Sequence, residues 1–294
     1  MVWHRWRKAR IRQVAIAMFD GGPGLPHDYL APISIVANTG RRVVFYDQLG
    51  CGNSDQPHNP KMWSFQLFVE EIDAIRSTLE LDQVHLFGHS AGGSLAMEYA
   101  LTKPSGLVSL ILADSLASVP QINSEMRRLR SELPLHVQQT LVKHEKDGTT
   151  NDPAYQAALS VFTHRHWCRL DPWPDCLLQS LQKYSKNPEV NNTLYGSSDF
   201  EITGMLREWS IVNRLGEIDV PTLLISGRYD QATPVVVAPI RRGIPDSKWV
   251  IFENSSHMPH LEEPERFIRM LGDFLNSVEA SKEPLNDQSY VSNK

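Results

Sequence analysis

The stretch at residues 83–92 reads QVHLFGHSAG, an apolar run that ends in a serine between two glycines. Residues 83–87 have the composition of a buried strand, and residues 94–101 favour a helix. The pentapeptide at 88–92 therefore lies at a predicted strand-to-helix turn. In that context a Gly-X-Ser-X-Gly sequence holds its serine, here Ser90, in a strained and exposed turn, and its glycines let the strand and the helix approach closely.

Further short apolar runs that end in turn residues predict five more strands, at residues 14–19, 42–46, 107–112, 222–225 and 248–252. They show little alternation of apolar and polar residues, which is typical of parallel strands covered on both faces. Apolar residues three and four positions apart predict one helix after Ser64 and another that opens at Pro264. Strands that alternate with helices indicate an α/β fold with a parallel sheet and helices on both of its faces.

The pattern changes over residues 115–219, which are rich in helix formers, Trp and Pro and contain no clear strand. We expect an inserted helical cap there, with helices at residues 121–133, 135–146, 153–164 and 174–184. Residues 1–114 and 220–278 then form one discontinuous α/β core. Residues 279–294 are polar and are expected to form a frayed C-terminal tail.

The overall composition is that of an ordinary globular protein: 294 residues, 41% hydrophobic and 21% charged. A net charge of -5 provides no positive field for nucleic acid. The apolar runs are far shorter than the roughly 20 residues of a membrane span, and we see no secretory signal. Three cysteines, Cys51, Cys168 and Cys176, are too few for a disulfide framework and favour a reducing compartment. We therefore expect a soluble, cytoplasmic protein with no nucleic-acid partner, of undetermined oligomeric state.

A serine hydroxyl needs a base and an orienting carboxylate to become a nucleophile, in the chain order Ser, Asp, His on this fold class. Asp230 lies just past one predicted strand and His257 follows the next. The carboxyl ends of parallel strands lie at the same edge of a sheet, where open α/β sheets place their sites. We predict that Ser90, Asp230 and His257 form the catalytic triad of a serine hydrolase that works through an acyl-enzyme. His89 and His260 compete for the role of base and rank below His257.

The oxyanion of such a reaction needs two N–H donors. We expect one from Ala91, directly after the serine, and one from Gly22 in the loop DGGPG at residues 20–24. A second constellation, His164-X-His166-X-Cys168 with Cys176 nearby, has the residue types of a metal site but lacks the paired Cys-X-X-Cys of structural zinc. We predict neither a metal nor a cofactor.

Together these motifs resemble the proline iminopeptidase family of serine peptidase-type α/β-hydrolases. DGGPG at residues 20–24 is similar to the family's HGGPG loop, and DQLGCGNS at residues 47–54 resembles its D-Q-R-G-C-G-X-S segment. The Ser, Asp and His motifs follow in the family's order. A weaker similarity, to the cap of the tricorn-interacting aminopeptidase branch, lies in NDPAYQ at residues 151–156 and in Trp173-Pro174. The resemblance covers about residues 14–278 and implies the α/β-hydrolase fold.

The family releases an N-terminal residue, often proline, from short peptides, and some members hydrolyse amino-acid amides without metal or cofactor. The resemblance implies that Asp199 is the cap acid that binds the substrate ammonium and that Gln231 stands at a second acidic position. Gly21 in the loop and the cap aromatics Trp167 and Trp209 are further candidates for substrate binding. A small molecule or a short peptide is the expected substrate.

This chain departs from the family at several positions. Asp20 replaces the loop histidine, Leu49 replaces an arginine, and Gln231 is neutral where a carboxylate would attract an ammonium. Residues 1–12 are too short for the hairpin with which the family usually begins. These departures leave two alternatives open: hydrolysis of an ester, lactone or amide of a small metabolite, and a non-catalytic ligand receptor on the same fold. The intact triad argues against the receptor.

Overall fold

A seven-stranded sheet forms the centre of the residues that the computed structural model describes, which are 4–7 and 14–281. Its strands in chain order are β1 (His4–Arg7), β2 (Ala15–Phe19), β3 (Val43–Tyr46), β4 (Val84–His89), β5 (Leu107–Ala113), β6 (Thr222–Gly227) and β7 (Ser247–Phe252). Across the sheet the order is β1-β3-β2-β4-β5-β6-β7. The strands from β2 to β7 pair in parallel, and β1 is antiparallel to β3. The six predicted strands and their parallel arrangement are confirmed.

Strand β1 lies within residues 1–12, for which the sequence analysis predicted no strand. His4 stands opposite Tyr46 and Arg7 opposite Val43, so this segment extends the sheet beside β3 rather than beside β2. Pairing at an open sheet edge uses backbone groups and requires no apolar pattern. The basic and aromatic sequence of this segment therefore did not reveal a strand.

The central strands are buried on both faces. Leu110 and Leu112 of β5 belong to an apolar cluster that includes α1 (Phe65–Thr78) and α2 (Ala91–Leu101). Ile111, between them, belongs to a second cluster with the 3₁₀ segment His27–Thr39 and with α10 (Pro264–Ala280). Because both faces are covered, the strand is apolar at almost every position, as the sequence indicated.

Helices α1 and α10 both begin where the sequence predicts. The hydroxyl of Ser64 accepts a hydrogen bond from Leu67 N at 3.1 Å, which confirms the N-cap of α1. Helix α10 opens at Pro264 as predicted but continues through Ala280, so the tail begins later than residue 279. The carboxylate of Glu279 accepts from Nε of the buried Arg41 at 2.9 Å, and this pairing keeps the polar end helical. Residues 282–294 of the predicted tail lie outside the described residues.

Between β5 and β6 the chain forms the cap helices α3 (Val119–Ser131), α4 (Leu135–Asp147), α5 (Pro153–His166), α6 (Asp175–Tyr184) and α7 (Glu189–Leu194). The first four lie within a few residues of their predicted positions, and the short α7 was not predicted. Helix α8 (Pro234–Gly243) was not predicted either; it opens at Pro234, because a proline fits the first turn of a helix. The domain boundaries at residues 115 and 219 stay predictions. No helix in the described ranges is long and apolar enough to cross a membrane.

Candidate active site

Ser90 lies at the sharp junction between β4 and α2. Its backbone is in the left-handed region, with φ 54° and ψ -121°, which is unfavourable for a residue with a side chain. Its N–H donates to Ala113 O at 2.8 Å, so the neighbouring strand β5 holds the junction in place. A Cβ atom at Gly88 would overlap the carbonyl group of Gly92, so the strand and the helix can approach this closely only with glycine at position 88. The expected strained turn is present.

Asp230 and His257 follow β6 and β7 and meet beside this junction. Nδ1 of His257 is 2.7 Å from Oδ1 of Asp230, and the same oxygen accepts from Ala232 N at 2.9 Å. Asp230 is fully buried and His257 nearly so. A carboxylate at this distance orients the imidazole with its proton on Nδ1, which leaves Nε2 free to accept a proton.

Two cavities meet at Ser90. The larger, which we call the aromatic cavity, has a volume of about 680 Å³ and is walled by apolar side chains that include Leu159, Phe162, Trp167, Trp173 and Tyr184. The small cavity has a volume of about 150 Å³ and is walled by Leu116, Ile122, Met126 and Ile202. Six residues line both: Gly22, Ser90, Asn191, Asp199, Gln231 and His257. Ser90 therefore opens onto both cavities.

The predicted substrate-binding residues separate into two groups. Gly21, Asp199, Gln231 and Trp167 line the aromatic cavity, although they come from the loop after β2, the cap and the loop after β6. Trp209 lines neither cavity: its Nε1 donates to Glu98 Oε1 at 2.7 Å, and its ring packs edge-on against Phe65 with the ring centroids 5.3 Å apart. An indole N–H that is partly buried needs an acceptor, and here α2 supplies it, so the ring packs against the core.

Asp199 is the acid that opens onto both cavities. Its Oδ2 accepts a hydrogen bond from the hydroxyl of the buried Tyr155 at 2.7 Å. Surrounding protein raises the pKa of Asp199, and the Tyr155 hydroxyl opposes this shift. The carboxyl group is thus held in a fixed direction at the place where the two cavities meet.

The two expected oxyanion donors lie on either side of the serine. Ala91 is the first residue of α2, where a backbone N–H has no acceptor within the helix. Gly22 lines both cavities with a φ of 110°, a conformation that favours glycine. The N–H of Gly21 instead donates to the Tyr29 hydroxyl at 2.8 Å, which leaves Gly22 as the better donor in this loop.

His89 and His260, the competing candidates for the base, both have other partners. Nδ1 of His89 is 2.9 Å from the Tyr29 hydroxyl and Nε2 is 2.8 Å from His257 O. Burial lowers the pKa of His89 well below its ordinary value, so the ring is neutral, donates from Nε2 and accepts at Nδ1. Nε2 of His260 lies 3.2 Å from Tyr29 O, and burial lowers the pKa of His260 to about 3. These contacts leave His257 as the candidate base.

Two of the unusual positions are Asp20, the first residue of the oxyanion loop, and Leu49. Asp20 is almost fully buried, and in the described part of the chain neither of its carboxyl oxygens has a hydrogen-bond partner. Burial, together with the nearby charges of Asp47 and Glu71, raises the pKa of Asp20 well above its ordinary value. The N–H of Leu49 donates to Oε1 of Glu71 at 2.9 Å, and burial raises the pKa of Glu71 to about 7. Burial therefore favours the neutral forms of Asp20 and Glu71.

His164 and His166, which the sequence offered as candidate metal ligands, each contact other groups. Nδ1 of His164 is 2.9 Å from Ser160 O, and its ring stacks on Trp173. Nδ1 of His166 is 2.8 Å from Tyr229 O. All three cysteines are free thiols; Cys51 and Cys168 are buried and Cys176 is half-buried.

Sequence reasoning missed Asp114, which directly follows β5. It is fully buried at a φ of 54°, and its Oδ1 accepts from Gly227 N at 2.9 Å. Side-chain ligand atoms of Asp114, Asp230 and His257 all lie within 4.8 Å of one another. The sequence does show an acid directly after a buried strand at position 114, but it does not show that Asp230, more than a hundred residues further on, lies beside it.

A sheet of this topology, with serine, aspartate and histidine after β4, β6 and β7, defines a serine hydrolase of the α/β-hydrolase class. A family model described as "alpha/beta hydrolase fold" matches residues 16–264. The proline iminopeptidase of Heyndrickxia coagulans is 40% identical over 263 residues, which are 90% of this chain and 91% of that protein. The chain belongs to the proline iminopeptidase family of α/β-hydrolases.

Solved structures agree with this membership. The proline iminopeptidase of Mycobacterium smegmatis matches with a TM-score of 0.90 and 36% identity, over 95% of this chain and 96% of that one. The structure of VinJ matches with a TM-score of 0.91 and 39% identity, over 94% and 95% of the two chains. The predicted family, fold and enzyme class are confirmed, and the alternatives of a metabolite esterase or a receptor are not favoured.

Proposed function

We propose that Ser90, His257 and Asp230 are the nucleophile, base and orienting acid of an enzyme that releases the N-terminal residue of a short peptide or hydrolyses an amino-acid amide. The observation that carries the proposal is the 2.7 Å contact between Asp230 and His257 beside a serine at the junction of two cavities. The similarity to proteins named proline iminopeptidase supports the choice of substrate class.

In the proposed mechanism, His257 takes the proton of Ser90 as the serine oxygen attacks the substrate carbonyl carbon. The N–H groups of Gly22 and Ala91 stabilise the oxyanion. His257 then gives the proton to the leaving amine, and a water molecule, activated by the same histidine, hydrolyses the acyl-enzyme. Asp230 keeps the proton on Nδ1 and stabilises the imidazolium. Side chains and backbone groups supply every step, so we propose no metal or cofactor.

The cavities support a division of the substrate. The small cavity has a volume of about 150 Å³, and its lining includes Asn123, Ser198 and Glu201 as well as apolar side chains, so it suits one small residue as the acyl part. The aromatic cavity, at about 680 Å³, has space for the remainder of a short peptide or a bulky amide. We assign Asp199, which lines both cavities, as the group that binds the free ammonium of the N-terminal residue. Gln231, which lines the same junction, adds no charge to that interaction.

The test compares proline and alanine arylamides with their N-acetylated forms, in the wild-type protein and in Asp199→Asn. We expect acetylation to lower kcat/KM, and we expect Asp199→Asn to lower it by at least about tenfold for free amines only, because a charged hydrogen bond contributes roughly 1.5–3 kcal/mol. Asp147→Asn, which removes an exposed acid at the end of α4, is the control for net charge. Acetylated substrates cleaved as fast as free amines would refute the aminopeptidase assignment.

We also propose a cytoplasmic location and no nucleic-acid partner. Three free cysteines suit a reducing compartment, and the net charge of -5 is unfavourable for contact with phosphates.

A further inference from the structure

Asp114 and Asp230 place two carboxyl groups close together in the interior of the protein. Both side chains are fully buried. Oδ2 of Asp114 and Oδ2 of Asp230 are buried oxygens for which the described residues offer no hydrogen-bond donor. Side-chain ligand atoms of the two residues lie within 4.8 Å of each other, so the two carboxyl groups are neighbours. Two carboxylates cannot hydrogen-bond, whereas a carboxylic acid and a carboxylate can, so a single proton would satisfy both oxygens.

The remaining contacts indicate which residue holds that proton. Oδ1 of Asp230 accepts from Ala232 N at 2.9 Å and lies 2.7 Å from His257 Nδ1, so two donors stabilise its negative charge. Oδ1 of Asp114 accepts from one donor, Gly227 N at 2.9 Å. The carboxylate with more donors is the better place for the charge. The proton therefore belongs on Asp114.

We propose that Asp114 is a neutral carboxylic acid that donates its proton to Oδ2 of Asp230 and thereby orients the acid of the triad toward His257. Asp114 is a positioning residue, because it acts through Asp230 and reaches no substrate. The inference rests on the triad proposed above. Its effect is to hold the Asp230 carboxylate in one rotamer and to leave Oδ1 directed at Nδ1 of His257.

The groups around Asp114 favour this protonation state. Burial, followed by the charge of Asp230 and the hydrogen bond to it, raises the pKa of Asp114 well above its ordinary value. Glu262 of α9 (Pro259–Glu262) adds a further negative charge. His89, whose Nε2 lies 4.0 Å from Oδ2 of Asp114, is neutral because burial lowers its pKa. His257 faces Asp230 from the other side and is bonded to Oδ1.

The first experiment observes the proton directly. An infrared difference spectrum of wild type minus Asp114→Asn, recorded at pH 7 with ¹³C-labelled aspartate, reports the carbonyl stretch of a protonated carboxyl group. We expect that band in the wild type and its loss in Asp114→Asn. A wild-type spectrum that shows carboxylate at position 114 overturns the inference. This measurement needs no turnover, so a band present in an inactive protein would refute the proposed function while supporting the shared proton.

The second experiment tests positioning with an aryl acetate, whose cleavage does not depend on an amino group. In Asp114→Asn the amide nitrogen can donate to Asp230 and the amide oxygen can accept from Gly227 N, so we expect kcat/KM within about threefold of wild type. Asp114→Ala leaves Gly227 N and Oδ2 of Asp230 buried without a partner, so we expect a loss of about tenfold or more in kcat/KM. Wild-type kcat/KM in Asp114→Ala would show that Asp230 needs no such donor.

Discussion

Nε2 of His89 lies 2.8 Å from the backbone carbonyl oxygen of His257, so the residue beside the proposed nucleophile supports the loop of the proposed base. The other ring nitrogen of His89 bonds to the hydroxyl of Tyr29, which also accepts from Gly21 N. This chain of hydrogen bonds joins the oxyanion loop, the serine turn and the histidine loop. Three segments far apart in the sequence thus share one buried network.

Tyr29→Phe should disturb this network without changing the shape of the core. It removes the acceptor of Gly21 N and the donor to His89 Nδ1, both of which are buried. We expect a loss of roughly 1–3 kcal/mol in the free energy of unfolding and about a tenfold lower kcat, with a smaller change in KM. Urea unfolding and aryl ester kinetics measure the two effects.

Tyr229→Phe is the matched control, because this tyrosine is 43% exposed. It should leave both quantities at their wild-type values. If Tyr29→Phe also retained wild-type kcat, the hydroxyl would have no part in aligning the loop that carries Gly22.

Asp230→Asn should preserve the fold and abolish most of the activity. The amide cannot stabilise an imidazolium and favours the wrong tautomer of His257; in a serine protease triad the same change costs about 10⁴ in kcat. Reaction of Ser90 with a fluorophosphonate, followed by mass spectrometry, measures the loss independently of the substrate. Ser90→Ala should show no labelling at all, and rapid labelling of Asp230→Asn would exclude Asp230 as the orienting acid.

Glu71→Gln should change how stability depends on pH. Because burial raises the pKa of Glu71 from 4.5 to about 7, the folded protein binds more protons than the unfolded chain between these values. The free energy of unfolding of the wild type therefore decreases as pH rises from about 4.5 to about 7 and levels off above. The glutamine variant lacks this contribution, so we expect it to gain about 1–3 kcal/mol relative to wild type between pH 5 and pH 8.

Urea unfolding at about pH 5 and about pH 8 measures this change in the free energy of unfolding, with Glu70→Gln as the control. Glu70 is the preceding residue of the same helix but is exposed, so its variant should follow the wild-type pH dependence. Parallel curves for wild type and Glu71→Gln would show that Glu71 ionises in the folded state as it does in the unfolded chain.

Two glycine-to-alanine substitutions should have opposite effects. A Cβ at Gly88 would overlap backbone atoms of Gly92 and Gly93, which cannot move without opening the serine turn, so we expect a loss of at least about 4 kcal/mol or no soluble protein. Gly272 lies within α10 with nothing within 4 Å of its Cβ position, and alanine there should stabilise by up to about 1 kcal/mol. Soluble yield and thermal unfolding distinguish them; a folded, stable Gly88→Ala would contradict the close approach of β4 and α2.

Local features of the sequence were sufficient for most of the fold. The strands β2 to β7 were predicted because buried parallel strands are continuous apolar runs, and α1 and α10 because their apolar residues recur every three or four positions. Strand β1 was missed because edge pairing leaves no apolar pattern, and α8 because a proline at the first helical position also fits a turn.

The sequence by itself determined the family, the strained serine turn, and the order of Ser90, Asp230 and His257 along the chain, since each depends on residue types at short spacing. The tertiary structure alone decided which side chains meet: it turned Trp209 toward Glu98, joined His89 to Tyr29, and brought Asp114 close to Asp230. Such pairings depend on how the parallel strands align in the sheet, and this alignment brings together residues that are 60 or more positions apart in the sequence.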